Sequence, residues 1–330
     1  MRVALLSYEY PPDTGFGGIG TYTWYQARAL ARLGHQVRVI AGSLEPGTFH
    51  SHHDGVALTR VLDDGPLGGA VAGLHEQGLG WAPNRLRTAA GDYRALRDLL
   101  EHEQYDVVEH PECGADGTMV STMLPVRTCV RFHSPAALIM ASYGASAADI
   151  EATTFLEQIA IDQADFATAP SAFMADEAIH RLGVEPPVHV VPNGIDLDLF
   201  DRAEALDVAE RFGLSTRPGT VTILFAGRLE QRKGAHLLAD TLARTLRAHP
   251  QVQAVIAGAD PSGLVDAAIG PALDAHGLGD RLRVLGHLSQ PEVRALVRHV
   301  DIHLLPTMWD NAPYSCIETM AASGALVTSD

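Results

Sequence analysis

The feature that most constrains the fold is an alternation of short apolar segments with helical patterns, which restarts once along the chain. In the first half, the apolar segments predicted as strands are Val3–Tyr8, Gln36–Ala41, Asp106–Glu109, Thr128–Phe132, Phe166–Ala169 and His189–Val191. In the second half they are Val221–Ala226, Ala254–Ala257, Arg283–Leu285, Ile302–Leu305 and Ala325–Thr328. Short buried strands that alternate with helices are typical of parallel sheets covered by helices on both faces.

The restart predicts two Rossmann-like α/β domains, residues 1–195 and 196–330. A chain of 330 residues is long enough for two domains of ordinary size. The polar segment Asn193–Gly219 is predicted to join them. In such sheets ligands bind at the carboxyl ends of the strands, so we expect the site in the cleft between the two domains.

Composition excludes some classes of function. The net charge of −16 argues against broad nucleic-acid binding, which needs a basic face. The apolar run at the N-terminus is too short for a membrane span or a signal sequence, so we expect a cytoplasmic protein. The three cysteines make neither a disulfide framework nor a paired metal-ligand pattern and are predicted to be buried thiols: Cys113, Cys129 and Cys316.

Two local clusters have more than one interpretation. Four arginines, Arg85, Arg87, Arg94 and Arg97, form a basic patch that fits an anionic acceptor, a membrane surface or simply a solvated helix face. The stretch with His50, His52 and His53 is predicted to be an exposed loop, with metal binding as the alternative.

The first motif, Gly15–Gly20, satisfies the G-x-G-x-x-G pattern between a predicted strand and a predicted helix. That context fits an NAD-dependent oxidoreductase. Two details weaken this interpretation. Residues Glu9–Thr14 separate the strand from the first glycine, and the second strand ends at Ala41 without an acid placed for a ribose hydroxyl.

Under either interpretation the glycines let backbone N–H groups approach an anion closely. A helix predicted to start near Thr21 adds its positive end. We predict that Gly17 and Gly18 contact a diphosphate or a sugar, and a tight turn without a ligand is the alternative.

The second motif follows the strand Val221–Ala226, where Arg228 and Lys233 stand five residues apart. A guanidinium fork and a compact ammonium suit a diphosphate leaving group. The alternative is that both charges solvate a surface loop.

The third motif ends a strand, crosses a loop and opens a helix. Pro313 suits the first helical turn, and the backbone N–H groups near Tyr314 and Ser315 are placed for phosphate oxygens. Glu318, in the second turn, is suited to accept hydrogen bonds from both hydroxyls of a ribose. Asp310, before the helix, is suited to hydroxyls of a sugar.

Taken together, these motifs resemble retaining glycosyltransferase family 4, whose members have the two-domain GT-B fold. The resemblance runs from Met1 to Asp330, and Asp310-x7-Glu318 stands where the family has Glu-x7-Glu. It implies a reacting centre with His133, Asp310 and Gly18. It implies donor contacts from Gly17, Gly18, Arg228, Lys233, Asp310, Asn311, Pro313, Tyr314, Ser315 and Glu318.

The resemblance also implies the chemistry. A sugar would move from a nucleoside-diphosphate sugar to an acceptor hydroxyl with retention of configuration, and the acceptor would be a small molecule, a glycan or a lipid-linked compound. No metal ion or other cofactor is expected, and Asp196-Leu197-Asp198 is interpreted as a turn. Peripheral membrane contact stays open.

Family members usually continue beyond the strand matched by Ala325–Thr328. We therefore expect an incomplete second domain, in a fragment or a shortened protein, with reduced or no transferase activity in these 330 residues. Two other hypotheses remain open at this point: an NAD-dependent oxidoreductase that uses Gly15–Gly20, and a non-catalytic homologue of a transferase.

Overall fold

The computed structural model describes residues 1–15, 17–63, 65, 67–185, 187–201 and 206–329. Contacts between residues divide the chain into two compact units, Met1–Gly194 and Ile195–Asp330. Each unit is built around its own sheet, and the two are described in turn.

The first unit contains a sheet with the strand order β3-β4-β2-β1-β5-β6-β7-β8. All neighbouring strands in it are parallel except β3 and β4, which are antiparallel. The strands are β1 (Arg2–Ser7), β2 (Gln36–Gly42), β3 (Gly47–His53), β4 (Val56–Leu62), β5 (Val107–Pro111), β6 (Thr128–Arg131), β7 (Phe166–Ala169) and β8 (Val188–Val190).

Helices cover both faces of this sheet, as the alternating pattern predicts. They are α1 (Gly18–Arg32), α2 (Leu67–Glu76), α3 (Ala82–Leu100), α4 (Thr118–Met123), α5 (Ala136–Ile139), α6 (Ala147–Asp162) and α7 (Ala172–Leu182), with a 3-10 turn at Met140–Tyr143. Leu5 of β1 packs in a core cluster with Ala27 of α1. Leu6, the next residue, packs in another cluster with Leu96 of α3. Successive residues of one strand therefore supply two different cores.

The hairpin of β3 and β4 was not predicted. The stretch with His50, His52 and His53 is not a loop, because it forms the edge strand β3. Almost every side chain of β3 is exposed, so the strand has no buried face that would produce alternating apolar residues. The strand β3 runs antiparallel to β4, whereas the other neighbouring strands of this sheet are parallel as predicted.

The second unit contains a parallel sheet with the strand order β11-β10-β9-β12-β13. The strands are β9 (Val221–Ala226), β10 (Val252–Ala257), β11 (Leu282–Gly286), β12 (Ile302–Leu305) and β13 (Ala325–Thr328). The α-helices are α8 (Leu197–Asp201), α9 (Val208–Phe212), α10 (Leu238–Ala248), α11 (Gly270–Asp274), α12 (Gln290–His299) and α13 (Tyr314–Ala321). Short 3-10 turns lie at Gln231–Lys233, Ala235–Leu237 and Gly279–Arg281, and a π-helical turn lies at Val265–Ile269.

Part of the predicted joining segment belongs to the core of the second unit. Residues of α8 and α9, among them Phe200 and Phe212, are buried in one cluster with Leu224 of β9 and Leu296 of α12. Asp196 is followed directly by α8, so the interpretation of Asp196-Leu197-Asp198 as a turn is wrong in part. In the described part of the chain, no helix is long and apolar enough to cross a bilayer.

Candidate functional site

Each sheet has one point where the strand order reverses. In the first, β1 lies between β2 and β5, and in the second, β9 lies between β10 and β12. The connections after the two neighbouring strands then leave toward opposite faces, and a crevice opens at their carboxyl ends, where ligands bind in such sheets. The three sequence motifs follow β1, β9 and β12, so each lies at one of these two points.

In the second unit, a glycine joins the loops after β9 and β12. Gly234 has a φ of 71°, and an added Cβ would lie 1.7 Å from the carbonyl oxygen of Pro306. Only glycine therefore fits there. The Arg232 carbonyl accepts hydrogen bonds from the Met308 N–H at 2.8 Å and the Thr307 hydroxyl at 3.1 Å. These contacts hold the two motifs together.

Asp310 pairs with two cations of the β9 loop. Its Oδ2 contacts Lys233 Nζ and lies 3.3 Å from Arg232 Nη1. Its Oδ1 accepts a hydrogen bond from the Asn311 N–H at 3.1 Å. Two residues that the sequence places in one site are thus in direct contact. Lys233, Asp310, Pro313 and Ser315 also line one small pocket, together with Phe225, Ala226, Leu305, Thr307 and Cys316.

Arg228 is placed differently from Lys233. Its Nε lies 2.9 Å from Glu230 Oε1, and its side chain is 64% exposed. Arg232, which the sequence analysis did not select, is the second cation beside Asp310 and is mostly buried. Its position in the middle of a charged stretch gave no signal that separates it from its neighbours.

The helix α13 begins at Tyr314, so Pro313 is the N-cap residue and not part of the first turn as predicted. Pro313 makes no side-chain hydrogen bond to the first turn. The N-terminus of α13, which carries the positive end of the helix dipole and has no side-chain cap, therefore lies at the small pocket that Ser315 lines.

Glu318 lies in the second turn of α13, as predicted, and is only 8% exposed. Burial raises the pKa of its carboxyl to about 7, and the nearby Arg294 opposes this rise. Within the described part of the chain, no residue donates a hydrogen bond to this carboxylate. A nearly buried acceptor without a donor is costly unless a ligand or water supplies the hydrogen bonds.

In the first unit, α1 begins at Gly18 and not near Thr21, because Gly17 is the N-cap residue. The Glu9 carboxylate lies against this helix end, and its Oε2 accepts a hydrogen bond from the Gly20 N–H at 3.3 Å. An added Cβ at Gly18 would meet no described atom within 4 Å. Gly18 thus borders open space, whereas Gly17 makes room for Glu9.

Arg60 of β4 holds the segment that leads from β1 to this glycine loop. Its Nη1 donates to Thr14 Oγ1 at 3.2 Å and to the Gly42 carbonyl at 3.1 Å. Its Nη2 donates to the carbonyls of Tyr10 at 3.0 Å and Pro11 at 3.1 Å. The sequence gave no signal for this role, because β4 itself was not predicted.

His133 follows β6 and is buried. Burial lowers the pKa of its imidazole to about 3, and Arg131 adds to the shift, so the ring is neutral near pH 7. The ring lies edge-on to Tyr22 with 4.9 Å between centroids. Its backbone N–H donates to Glu112 Oε2 at 2.7 Å. Glu112 was missed by the sequence analysis, although an acid directly after a buried strand is a usable signal.

Comparisons with known proteins agree with this arrangement. The chain matches the profile described as Glycosyltransferase Family 4 over residues 16–199, and Glycosyl transferases group 1 over residues 209–330. It is 29% identical to a glycogen synthase of Mycobacterium tuberculosis over 100% of this chain and 78% of that protein. It is 27% identical to a phosphatidyl-myo-inositol mannosyltransferase of the same species, with the same two coverages.

Among solved structures, sucrose-phosphate synthase from Thermosynechococcus elongatus aligns with a TM-score of 0.70 at 19% identity, over 99% of this chain and 80% of that one. The two units with their mainly parallel sheets, and the similarity to this solved structure, define the GT-B fold. The matched family models define the protein as a glycosyltransferase enzyme. The chain belongs to glycosyltransferase family 4, which matches more than half of its length. The predicted fold class and the predicted transferase class are confirmed.

Proposed function

We propose that this chain transfers a sugar from a nucleoside-diphosphate sugar to an acceptor hydroxyl, with retention of configuration at the anomeric carbon. The observation that carries the proposal is Glu318. Its nearly buried carboxylate has no described hydrogen-bond donor and stands one helical turn beyond the uncapped start of α13. In a nucleoside diphosphate, the ribose is attached to the diphosphate and carries two hydroxyl donors. With the phosphates at the start of α13, these hydroxyls can reach a carboxylate one helical turn further along.

The diphosphate would lie at the mouth of the small pocket at the start of α13, whose inner volume of about 10 Å³ has room for about one oxygen atom. Lys233 and the Ser315 end of the helix line that pocket, and Arg228 stands on the same loop as Lys233. In the free protein Asp310 neutralises Lys233. An arriving diphosphate competes with Asp310 for this cation, which leaves Asp310 and Asn311 available for hydroxyls of the donor sugar. Pro313 and Tyr314 shape the turn that brings these groups together.

The chemistry requires charge stabilisation on the leaving diphosphate. We propose that Lys233 and Arg228 provide it in place of a metal ion. In the front-face mechanism that retention suggests, the acceptor hydroxyl attacks the anomeric carbon while the bond to the diphosphate breaks, and the departing phosphate oxygen takes the hydroxyl proton. The protein contributes positioning, with Gly18 leaving room for the reacting groups and neutral His133 offering a hydrogen bond.

The test is calorimetric titration of UDP, GDP, ADP and their common sugar conjugates into the wild type and Glu318→Ala. The matched control is Asp240→Ala, which removes an exposed carboxylate of α10 in the same unit. We expect one nucleotide to bind to the wild type and the control, and to bind at least tenfold more weakly to Glu318→Ala. Equal binding to all three proteins would refute the assignment of Glu318.

Turnover is measured separately, with the anomeric configuration of the product followed by NMR. A product with inverted configuration would refute retention. Nucleotide binding without any transfer to a broad acceptor panel would favour the non-catalytic homologue, and binding of NAD alone would favour an oxidoreductase.

A further inference from the structure

The first unit contains a pocket of about 510 Å³, a volume within the range of small-molecule sites. One wall is Tyr8, which directly follows β1 and so lies at the carboxyl end of the sheet. The opposite wall is the beginning of α3, with Trp81, Asn84, Arg85, Arg87 and Thr88.

The four arginines of α3 differ in how their charges are compensated. Arg94 pairs with the Asp63 carboxylate and Arg97 with that of Asp98, and neither lines the pocket. Arg85 and Arg87 line the pocket, and neither has an ion pair with any carboxylate in the described ranges. The two arginines of this helix that have no ion pair in the described ranges therefore line one cavity.

Each of these two cations keeps donors for a ligand. The Nη groups of Arg85 have no hydrogen-bond partner among the described residues, whereas its Nε is buried and out of reach of a ligand. The Nε of Arg87 donates to the Asp63 carbonyl at 2.8 Å, which orients the guanidinium without cancelling its charge. Two guanidinium groups with unused donors suit the oxygens of a phosphate.

The wall that carries these arginines is rigid before any ligand arrives. The Asp149 carboxylate accepts hydrogen bonds from the N–H groups of Gly80, Trp81 and Ala82 at 2.7 to 2.9 Å. Trp81 stacks on Tyr143 with 5.9 Å between ring centroids, and the Arg85 guanidinium lies 5.3 Å from the Trp81 ring. A site built in advance loses less entropy on binding.

We propose that this pocket binds a phosphorylated polyhydroxyl compound, with its phosphate held by Arg85 and Arg87, and that this compound is the acceptor. The second clause rests on the proposed transferase function. The phosphate belongs either to a free sugar or polyol phosphate or to a lipid headgroup of the same chemistry. Asn84 and Thr88, on the same wall, are polar neighbours for hydroxyl groups.

A structural role for Arg85 is the competing explanation. Burial raises the pKa of Asp116 to about 6, and Arg85 is the strongest influence that lowers it. Arg85 therefore balances a buried acid whether or not a ligand binds. Arg87 is not among the groups that act on Asp116, so substitutions of Arg87 separate the two explanations.

The test is calorimetric titration of the whole chain with glucose 1-phosphate, glucose 6-phosphate and inositol 1-phosphate, each paired with its unphosphorylated parent. Arg87→Gln and Arg85→Gln are compared with the control Arg97→Gln, an exposed position of the same helix. We expect at least one phosphorylated compound to bind more tightly than its parent. Its affinity should fall about 10- to 100-fold in Arg87→Gln and stay unchanged in Arg97→Gln.

Vesicles of phosphatidylcholine with and without phosphatidylinositol distinguish the two sources of phosphate. Binding that needs phosphatidylinositol and Arg87 identifies a lipid headgroup. The proposal is overturned if the phosphorylated compounds and the phosphatidylinositol vesicles bind no better than their controls. It is also overturned if Arg87→Gln leaves the binding unchanged. Equal binding to phosphatidylserine vesicles would indicate a general anionic membrane surface and would also overturn it.

This result is separable from the donor site, because Glu318 lies in the other unit. Arg87→Gln should leave nucleotide affinity unchanged while raising the KM for the phosphorylated acceptor, with little change in kcat. If phosphate binding depends on Arg87 but no nucleotide binds at all, the transferase proposal fails and the phosphate site stands.

Discussion

Glu9 and Gly17 occupy adjoining space so tightly that an added Cβ at residue 17 would lie 2.2 Å from Glu9 Oε2. The positive end of α1, which the sequence suggested for a ligand anion, therefore holds a carboxylate of the protein itself. Gly17 has an ordinary extended backbone conformation, so it is the space and not the backbone that requires glycine.

The relationship predicts non-additive substitutions. Gly17→Ala should destabilise the protein by about 1 kcal/mol, because the new methyl group displaces the flexible end of Glu9 and breaks its hydrogen bond to the Gly20 N–H. In a Glu9→Ala background the same change should cost much less, since the obstructing side chain is gone. Urea unfolding of the two single variants and the double variant gives the coupling energy. Additive effects would show that Gly17 is needed for another reason.

Arg60 should be hard to replace. Arg60→Met removes the Arg60 hydrogen bonds to the carbonyls of Pro11 and Gly42, one of several to the Tyr10 carbonyl, and the ion pair with Asp13. We expect a loss of about 3 kcal/mol in stability. Arg60→Lys should recover only part of this loss, because an ammonium cannot span acceptors that a planar guanidinium reaches. Unfolding midpoints in urea measure both. A lysine variant as stable as the wild type would contradict the geometric argument.

The ion pair of Lys233 and Asp310 predicts opposite effects on binding of a nucleoside diphosphate without its sugar. Lys233→Met should weaken it at least tenfold, because a cation is lost from the phosphate pocket. Asp310→Asn should strengthen it several-fold, because Lys233 is no longer neutralised, and should still impair sugar transfer. Calorimetry measures the affinities. The control is Arg244→Met, which removes an exposed cation from α10. Weaker binding in Asp310→Asn would argue against competition for Lys233.

The raised pKa of Glu318 predicts that stability falls and nucleotide affinity rises as pH increases. Burial raises its pKa from 4.5 to about 7, so the unfolded chain ionises first as pH rises, and stability is lost between these values. At about pH 8, Glu318→Gln should therefore be more stable than the wild type by up to about 3 kcal/mol, with no difference near about pH 4. Thermal melts across this range measure the difference.

Ligand binding should follow the opposite course. A carboxylate accepts ribose hydroxyls better when ionised, so nucleotide affinity of the wild type should rise as pH rises through about 7. In Glu318→Gln this rise should disappear. A wild-type affinity that is flat with pH would mean that the ionised carboxylate is not the acceptor.

The sequence predicted what repeats regularly or carries distinctive chemistry. Buried strands such as β9 and β12 were placed to the residue, because a continuous apolar run bounded by polar residues has few other interpretations. The sequence also predicted Glu318 in the second turn of a helix that follows Asp310, and the structure has that helix at Tyr314–Ala321. The contact between Lys233 and Asp310 was beyond reach, because it depends on how Gly234 lets two loops meet.

Other features were missed for a common reason. Glu9, Arg60 and Glu112 act through backbone groups far along the chain, and no local pattern marks a side chain whose partners are distant carbonyls and amides. The strand β3 was not predicted because nearly all of its side chains face solvent, so its sequence has no alternation of apolar and polar residues.

That same strand affects how molecules of this protein meet in solution. An outermost strand offers unused backbone groups to any passing chain, and stacking edge against edge is a common start of aggregation. On β3 the side chains around those groups are largely imidazoles and hydroxyls, with Phe49 as the one large apolar exception in this described strand. Such hydrated side chains would lose water when two edges meet, which opposes the contact. The first sheet therefore carries a safeguard against self-association along its exposed edge.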